Sequence, residues 1–150
     1  MPSIFSPSDN AALQERIQKL AADTPAQWGK MNAAQMLAHC QVPIRVALGE
    51  VKLKRGIIGL LFGGSAKRKY ILSDKAFERD LPTDPNFLMK DARDFDTEKA
   101  GLLPLVQRFA QQGTAALTQE AHPFFGKMNA EEWDTLMWKH LDHHLRQFGV

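Results

Sequence analysis

The sequence has few of the features that mark secreted, membrane-spanning or nucleic-acid-binding proteins. A single cysteine, Cys40, excludes a disulfide framework and is typical of a reducing compartment. The longest apolar run, Ile57 to Phe62, is interrupted by Gly59 and is far too short to cross a bilayer. The first ten residues lack the charged and apolar regions of a signal peptide. We therefore expect a cytoplasmic protein without a membrane partner.

The net charge and the composition are those of an ordinary globular domain. A formal net charge of only +2 gives no reason to expect a nucleic-acid partner, because such binding needs a concentrated basic surface. Hydrophobic residues make up 44% and charged residues 24%, as in ordinary globular proteins. A chain of 150 residues is the size of one domain and can bury a core of its own. We expect a single domain over residues 1–150.

Four segments combine a start signal, apolar residues at helical spacing and a stop signal. They run from Ser6 to about Ala22, from Asn32 to Gly49, from about Thr97 to Gln112, and from Asn129 to about Phe148. Asn32 with Gln35, and Asn129 with Glu132, resemble capping boxes. Pro104 lies inside the third segment and could kink it. No stretch alternates with period two, so the sequence predicts an all-α fold with little β structure.

Residues 50–96 form a long connection between the second and third helices. A structureless loop of this length is unusual in a compact domain, so we expect one or two short helices within it. Its first part is basic around the apolar Gly56–Gly64 run, and its second part is acidic and turn-rich, including Pro82 and Asp84. The apolar run is interpreted as a short helix covering the bundle, with contact to a membrane or partner as the alternative. The basic cluster of Lys67, Arg68 and Lys69 is interpreted as a solvated surface. The alternative is that it attracts an anionic substrate.

The last helix carries a histidine pair at helical spacing. His140 and His144 straddle the middle of its buried face, about 40° apart on a helical wheel. Imidazoles at i and i+4 can reach one ion, and His39 on the apolar side of the second helix is the candidate third ligand. Two structural interpretations of these histidines remain. They could be cations that the helix dipole stabilises near a helix C-terminus, or buried side chains that are merely hydrogen-bonded. Burying neighbouring imidazoles without a common partner is costly, which favours a metal.

Several motifs carry a family resemblance over most of the chain outside the 50–96 connection. They are Trp28-Gly-Lys-Met-Asn32, Met36-Leu-Ala-His39-Cys40, His122-Pro-Phe-Phe-Gly-Lys-Met128, Trp133, and the last helix from Trp138 to Phe148. With these motifs the chain resembles the DinB-like (DinB/YfiT) metalloenzyme superfamily, in a branch described as a domain of unknown function.

The resemblance implies a fold, a ligand set and a class of chemistry. It implies an up-down-down-up four-helix bundle with a long connection between the second and third helices. It also implies that zinc or nickel is held by His39, His140 and His144. Relatives include thiol-dependent transferases and isomerases, so a small-molecule substrate, such as a low-molecular-weight thiol, is expected. Other members of the superfamily have no demonstrated reaction.

Three histidine ligands would leave coordination positions open, as a catalytic metal site requires. The expected function is therefore a metal-dependent (thiol-)transferase or hydrolase-like enzyme, in which the metal lowers the pKa of a thiol or water. The alternatives are a non-catalytic metal- or ligand-binding helical module, and a bundle whose histidines are only structural. A homodimer is a candidate assembly. No general base can be named from the sequence.

Four further residues are candidates for supporting the ligands or contacting the substrate. His122 precedes a rigid loop and either contacts substrate or orders the turn. His143 could be an alternative ligand at i+3 from His140, but it lies on the flank of the last helix, which favours a role in supporting the site or a surface pairing with Asp142 or Arg146. Gln147 lies on the site side and could orient a ligand, or it is ordinary polar packing. Cys40 is either a thiolate ligand or a small buried thiol.

Overall fold

The computed structural model describes residues 2–81 and 85–150, and over these residues the protein is all-helical. Five α-helices follow in order: α1 Pro7–Gln18, α2 Ala33–Ala47, α3 Ile57–Tyr70, α4 Phe95–Gln112 and α5 Ala130–Gln147. Short 3₁₀ turns occupy Pro85–Phe87 and Gly113–Ala116. The described ranges hold no strand, only one isolated bridge between His122 and Gly126. The prediction of an all-α fold is confirmed.

The predicted helix starts are satisfied by side-chain caps. Asn32 accepts the backbone N–H of Gln35 at 2.9 Å, and the Gln35 side chain accepts the N–H of Asn32 at 3.1 Å. Asn129 and Glu132 make the same reciprocal pair at 2.9 and 2.8 Å. Each box satisfies two N–H groups that a helix start leaves unpaired. These caps fix where α2 and α5 begin, and so they set which side chains each helix turns inward.

Two helix boundaries differ from the sequence prediction. Helix α1 ends at Gln18 rather than near Ala22, because the N–H of Ala21 donates to Thr24 Oγ1 at 2.8 Å in a turn. Helix α4 begins at Phe95, slightly before Thr97, because the Asp94 carboxylate caps it. Thr24 takes an N–H that a continuing α1 would use, whereas Asp94 satisfies an N–H that the start of α4 leaves unpaired.

Two prolines lie inside helices without ending them. Pro43 is within α2 and Pro104 is within α4, as the sequence predicts. Helix α4 packs against α1 and α2, and α5 also packs against α1 and α2. The core between these four helices holds large fully buried side chains, among them Leu13, Phe109 and Trp133. No helix of the described ranges is long and apolar enough to span a membrane.

The long connection contains one α-helix of 14 residues, α3, and one 3₁₀ turn in its described part. Pro82 and Asp84, from the acidic turn-rich part of the prediction, lie outside the described residues. Helix α3 lies with Gly59 and Gly63 buried against the backbone of Pro123 and Phe124. The expected helix is therefore present, but its apolar side chains do not cover the bundle.

Two lysines hold the C-terminal end of α3 to α5. Lys67 pairs with Glu132 at 2.7 Å, where both side chains are largely covered. Lys139 is buried and donates to the carbonyl oxygens of Tyr70 and Ser73. Burial lowers the pKa of Lys139, with the charge of Asp74 opposing that shift. Cationic donors at a helix C-terminus satisfy carbonyls that have no partner within the helix.

Candidate metal centre

Three histidines from two helices meet at one point in the core. His39 comes from α2, and His140 and His144 come from α5. One ring nitrogen from each residue lies within 4.8 Å of the others. The Nε2 atoms of His39 and His140 are 3.0 Å apart. These three histidines, called the histidine cluster below, could hold a metal ion.

A backbone carbonyl fixes the protonation pattern of His39. Its Nδ1 lies 2.7 Å from the carbonyl oxygen of Phe87. A carbonyl oxygen can only accept, so Nδ1 carries the hydrogen and Nε2 keeps its lone pair in the neutral ring. That lone pair points towards the cluster. Phe87 lies in the 3₁₀ turn of the long connection, and nothing in its residue type indicates this role.

A side-chain amide fixes His144 in the same way. Gln147 Nε2 donates to the carbonyl oxygen of Trp28 at 2.7 Å. The amide oxygen of Gln147 therefore faces His144, whose Nδ1 lies 2.8 Å away. Nδ1 of His144 must then be the donor, which leaves Nε2 with a lone pair. Gln147 is buried, so this chain of two hydrogen bonds is shielded from water.

His140 differs from the other two in protonation and in exposure. Because His39 Nε2 bears a lone pair, the 3.0 Å contact requires a hydrogen on Nε2 of His140 in the metal-free protein. His39 and His144 are buried, whereas His140 is only partly buried. His140 is therefore the most exposed residue of the cluster.

The environment keeps the three imidazoles neutral. Burial lowers the pKa of His39, and the hydrogen bond to Phe87 only partly opposes this. Burial, followed by the neighbouring His144 and His39, lowers the pKa of His140 well below its usual value. Burial and His39 lower the pKa of His144 to about 3. Neutral imidazole is the form that binds metal.

The donor set and spacing fit a divalent transition metal. Zinc and nickel accept imidazole nitrogens, and tetrahedral zinc with bonds of about 2.0–2.1 Å places its ligand nitrogens about 3.4 Å apart. The spacing of the cluster requires side-chain shifts of at most about 1 Å to reach that geometry. Hydrogen bonds from Nδ1 to an acceptor are the usual support for a metal-binding histidine. The residues present fit such an ion.

Cys40 takes no part in this cluster. Its side chain is buried in the core, and Sγ lies 3.7 Å from Met36 Sδ. Burial raises the pKa of the thiol far above its usual value. The protonated thiol is a poor ligand. Cys40 is thus a small buried thiol, the structural alternative considered from the sequence.

His143 lies beside the cluster but turns to a different set of neighbours. Its ring packs against Trp28 at 5.7 Å and Phe77 at 6.1 Å, and it hydrogen-bonds to the backbone of Phe77. Its predicted surface partner Asp142 instead pairs with Arg16 at 2.8 Å and with Arg146 at 3.6 Å. The structure therefore places His143 as a partly buried neighbour of the His144 ring, 5.1 Å away.

His122 orders the loop that precedes α5. Its Nδ1 accepts the backbone N–H groups of Phe124 and Phe125 at 3.0 and 3.1 Å. Its backbone pairs with Gly126, which has a positive φ of 78°. These contacts match the structural alternative for His122. A contact between His122 and substrate stays a prediction.

Comparison with known proteins gives a family but no activity. No curated protein and no solved structure matches the chain. One protein family matches residues 5–149, almost the whole sequence, and it is described as "Protein of unknown function (DUF1569)". A match of this extent includes all five α-helices and the three histidines of the cluster. The chain belongs to the DUF1569 family.

Proposed function

We propose that His39, His140 and His144 bind one divalent metal ion, zinc or nickel, in an enzyme of the DinB-like type. One observation carries the proposal. Two of the three rings donate Nδ1–H to a protein oxygen, at Phe87 and at Gln147, which leaves their Nε2 lone pairs free, and one nitrogen of each ring lies within 4.8 Å of the others. Protein structures orient histidines in this way when the other nitrogen is a metal ligand.

The structural alternatives account for the cluster less well. Histidines that are stabilised by the helix dipole must be protonated and must lie near a helix C-terminus. His39 lies in the middle of α2, and burial lowers the pKa of all three histidines. Merely hydrogen-bonded histidines do not need three nitrogens directed at one point. A shared metal ion compensates for burying these polar groups together.

The packing supports the proposed DinB-like topology. Helices α1 and α2 each contact both α4 and α5, and α3 lies within the long connection between α2 and α4. An up-down-down-up bundle of these four helices is the arrangement we propose. Its metal ligands would come from the second and last helices of the bundle, which are in contact.

Three protein ligands leave coordination positions for substrate on the partly exposed side of His140. A divalent ion there would supply Lewis acidity, which lowers the pKa of a water or thiol ligand. His39, His140 and His144 would hold the ion, and Gln147 would keep His144 in its binding orientation. None of the described residues contributes a carboxylate to the cluster, so the cluster itself offers no general base.

A positive charge near the cluster suggests the class of substrate. The Arg79 guanidinium lies over the Trp28 ring at 4.3 Å, and Trp28 contacts His143 beside the cluster. Arg79 is exposed and could pair with an anionic group of a ligand. A low-molecular-weight thiol that carries carboxylates fits this combination of metal and cation. We propose this class of compound as the substrate.

Metal content tests the site directly. Protein purified without chelator or affinity tag should contain about one zinc or nickel per chain by elemental analysis. Zinc or nickel should raise the melting temperature more than manganese does, because imidazole ligands favour zinc and nickel. Protein that has no bound metal and gains no stability from any of the three ions would contradict the proposal.

X-ray absorption spectroscopy of the zinc-loaded protein separates the enzyme from a non-catalytic module. If the protein is an enzyme, the spectrum should show three imidazole ligands plus light-atom ligands from solvent. A sulfur ligand should appear after glutathione is added. Four protein ligands that glutathione leaves unchanged would indicate a closed structural site. In that case the protein would be a metal-binding module rather than an enzyme.

A further inference from the structure

Residues 51–73, called the basic apolar segment below, differ in charge from the rest of the chain. The segment contains six lysines and arginines and no aspartate or glutamate. Its formal charge is +6, whereas the remaining residues together carry −4. The small net charge of the whole protein therefore conceals one strongly basic segment. Such a segment attracts an anionic surface.

The same segment exposes large apolar side chains. Five side chains in the first half of α3 are between 59% and 74% exposed: Ile57, Ile58, Leu60, Leu61 and Phe62. Single exposed apolar residues are common, but a contiguous group on one short helix marks an interaction site. Leu72, at the end of the segment, is 60% exposed as well.

The exposure follows from how α3 is seated. Gly59 and Gly63 face the protein, where a Cβ at Gly59 would lie 2.9 Å from the Pro123 carbonyl oxygen and one at Gly63 would meet that of Phe124. The two glycines occupy one face of the helix and allow the close backbone approach. The bulky residues between and before them are consequently turned outward. The apolar patch is a fixed feature of the docked helix.

Cationic side chains flank the apolar patch on both sides. Lys54 precedes it and Arg68 follows it, and both are exposed with no ion pair to any residue in the described ranges. Among the described residues, the ion pairs of Lys52 and Lys69 are with exposed carboxylates, at 3.5 and 3.2 Å. Such exposed pairs contribute little and are readily exchanged for another anion.

We propose that the basic apolar segment binds the surface of an anionic lipid bilayer. The side chains of Ile57–Phe62 enter the boundary between headgroups and acyl chains, and the flanking cations contact anionic headgroups. Apolar residues beside lysines and arginines on one helix are the composition of interfacial membrane binding. The sequence analysis expects no membrane partner but keeps contact between the Gly56–Gly64 run and a membrane as an alternative, and the outward orientation of these side chains favours that alternative.

A second copy of the chain is the less suitable occupant. Two segments of charge +6 would repel each other in a symmetric contact, and a helix of 14 residues offers little area for a stable dimer. An acidic protein could neutralise the lysines. The surface of an anionic bilayer can cover the apolar patch and neutralise the positive charge at the same time.

Vesicle flotation with the full chain tests the proposal. The protein should bind vesicles of phosphatidylcholine mixed with phosphatidylserine and should bind vesicles of pure phosphatidylcholine much more weakly. Each basic residue near such a surface contributes about a fivefold factor in binding. Added salt should therefore release the protein, since it screens exposed charges. Equal binding to both kinds of vesicle, or binding to neither, would overturn the proposal.

Matched pairs of variants locate the surface. Leu61→Ser with Phe62→Ser should reduce vesicle binding by at least about tenfold, since each removes apolar area from the bilayer. Leu88→Ser changes an exposed leucine outside the segment and should leave binding unchanged. Lys54→Gln with Arg68→Gln should cost about 25-fold, whereas Lys19→Gln with Lys30→Gln removes two exposed charges elsewhere and should cost far less. Circular dichroism confirms that each variant is folded.

Other occupants give different results. A concentration-dependent dimer that Leu61→Ser with Phe62→Ser abolishes, without vesicle binding, would assign the patch to a second copy. Binding to an acidic polypeptide such as polyglutamate but not to vesicles would assign it to an acidic protein. Equal losses in the two pairs of charge variants would mean that net charge alone drives binding. Each of these results would refute binding of a lipid surface by the basic apolar segment.

Discussion

At the scale of single residues, the histidine cluster is defined by the atoms that hold each ring. The carbonyl of Phe87 and the amide of Gln147 leave Nε2 of His39 and His144 ready to bind. His140 instead carries its hydrogen on Nε2 in the metal-free protein. An ion bound through Nε2 of His140 would require that hydrogen to move to Nδ1, so His140 is the histidine of the cluster whose tautomer would change.

Adjacent histidines of α5 should differ sharply in metal affinity. His140→Gln removes a ligand nitrogen and should lower zinc affinity far more than His143→Gln. The latter removes a ring that contacts His144 and should cost at most about 10–100-fold. Calorimetric titration of both variants at one pH gives the comparison. Equal losses would mean that the wrong pair on α5 has been identified as ligands.

Gln147 should act through His144. Gln147→Leu removes the acceptor of Nδ1–H and should lower metal affinity by about 10–100-fold while the three ligands remain. Gln147→Glu keeps an oxygen acceptor and should recover part of the affinity, although it loses the bond to Trp28. Titration with zinc measures each effect. If Gln147→Leu and Gln147→Glu bind zinc like the original protein, Gln147 is only packing.

At the scale of elements, α3 should depend on one glycine and not on its neighbour. A Cβ at Gly63 would clash with the backbone of Phe124, whereas one at Gly64 has open space around it. Gly63→Ala should cost about 1–3 kcal/mol of stability through overpacking or should displace the helix. Gly64→Ala should be neutral or gain up to about 1 kcal/mol, since alanine favours an exposed helix.

Chemical denaturation and hydrogen exchange across α3 distinguish the two glycine variants. Faster exchange in Gly63→Ala alone would match the predicted displacement. Equal behaviour of the two variants would mean that α3 is not seated on the loop at 122–126.

The helices that carry strong local signals were predictable from the sequence. The capping boxes before α2 and α5 are local, and they form as the spacing of Asn32 and Asn129 predicts. The end of α1 was misplaced, because Thr24 takes a backbone N–H through its hydroxyl. The seating of α3 could not be predicted, because it depends on the loop at Pro123 and Phe124, which is distant in sequence.

At the scale of the whole molecule, the metal-free protein should lose stability in acid. The pKa of His144 is about 3 in the folded chain and near 6.5 in a free side chain, so the unfolded state binds more protons between those values. The free energy of unfolding should therefore fall as pH drops below about 6.5. The lowered pKa values of His39 and His140 act in the same direction.

Urea denaturation of metal-free protein from neutral pH to about pH 4 measures this loss. His144→Gln removes one contributing group and should show a shallower fall with pH than the original chain. Carboxylates contribute equally to both proteins, so the difference between them isolates the histidine. A fall of equal steepness in the two proteins would exclude His144 as a source of the pH dependence.

The three residues of the histidine cluster were predictable from the sequence, but the groups that hold their rings were not. His140 and His144 were found from spacing on one helix face, and His39 from the apolar side of another. Phe87 could not be found, because it acts through its carbonyl and any residue carries one. The basic apolar segment was visible as composition, yet only packing decides whether Ile57–Phe62 face inward or outward.

The cluster also joins two parts of the chain that are far apart in sequence. His39 and His140 are separated by 101 positions. An ion shared between them would act as a reversible crosslink, and α5 could not separate from α2 until a bond between the ion and a histidine broke. Unfolding of the metal-loaded protein would then be timed by release of the ion. The lifetime of that form against heat and proteases would be set by the rate of metal dissociation more than by the equilibrium stability of the fold.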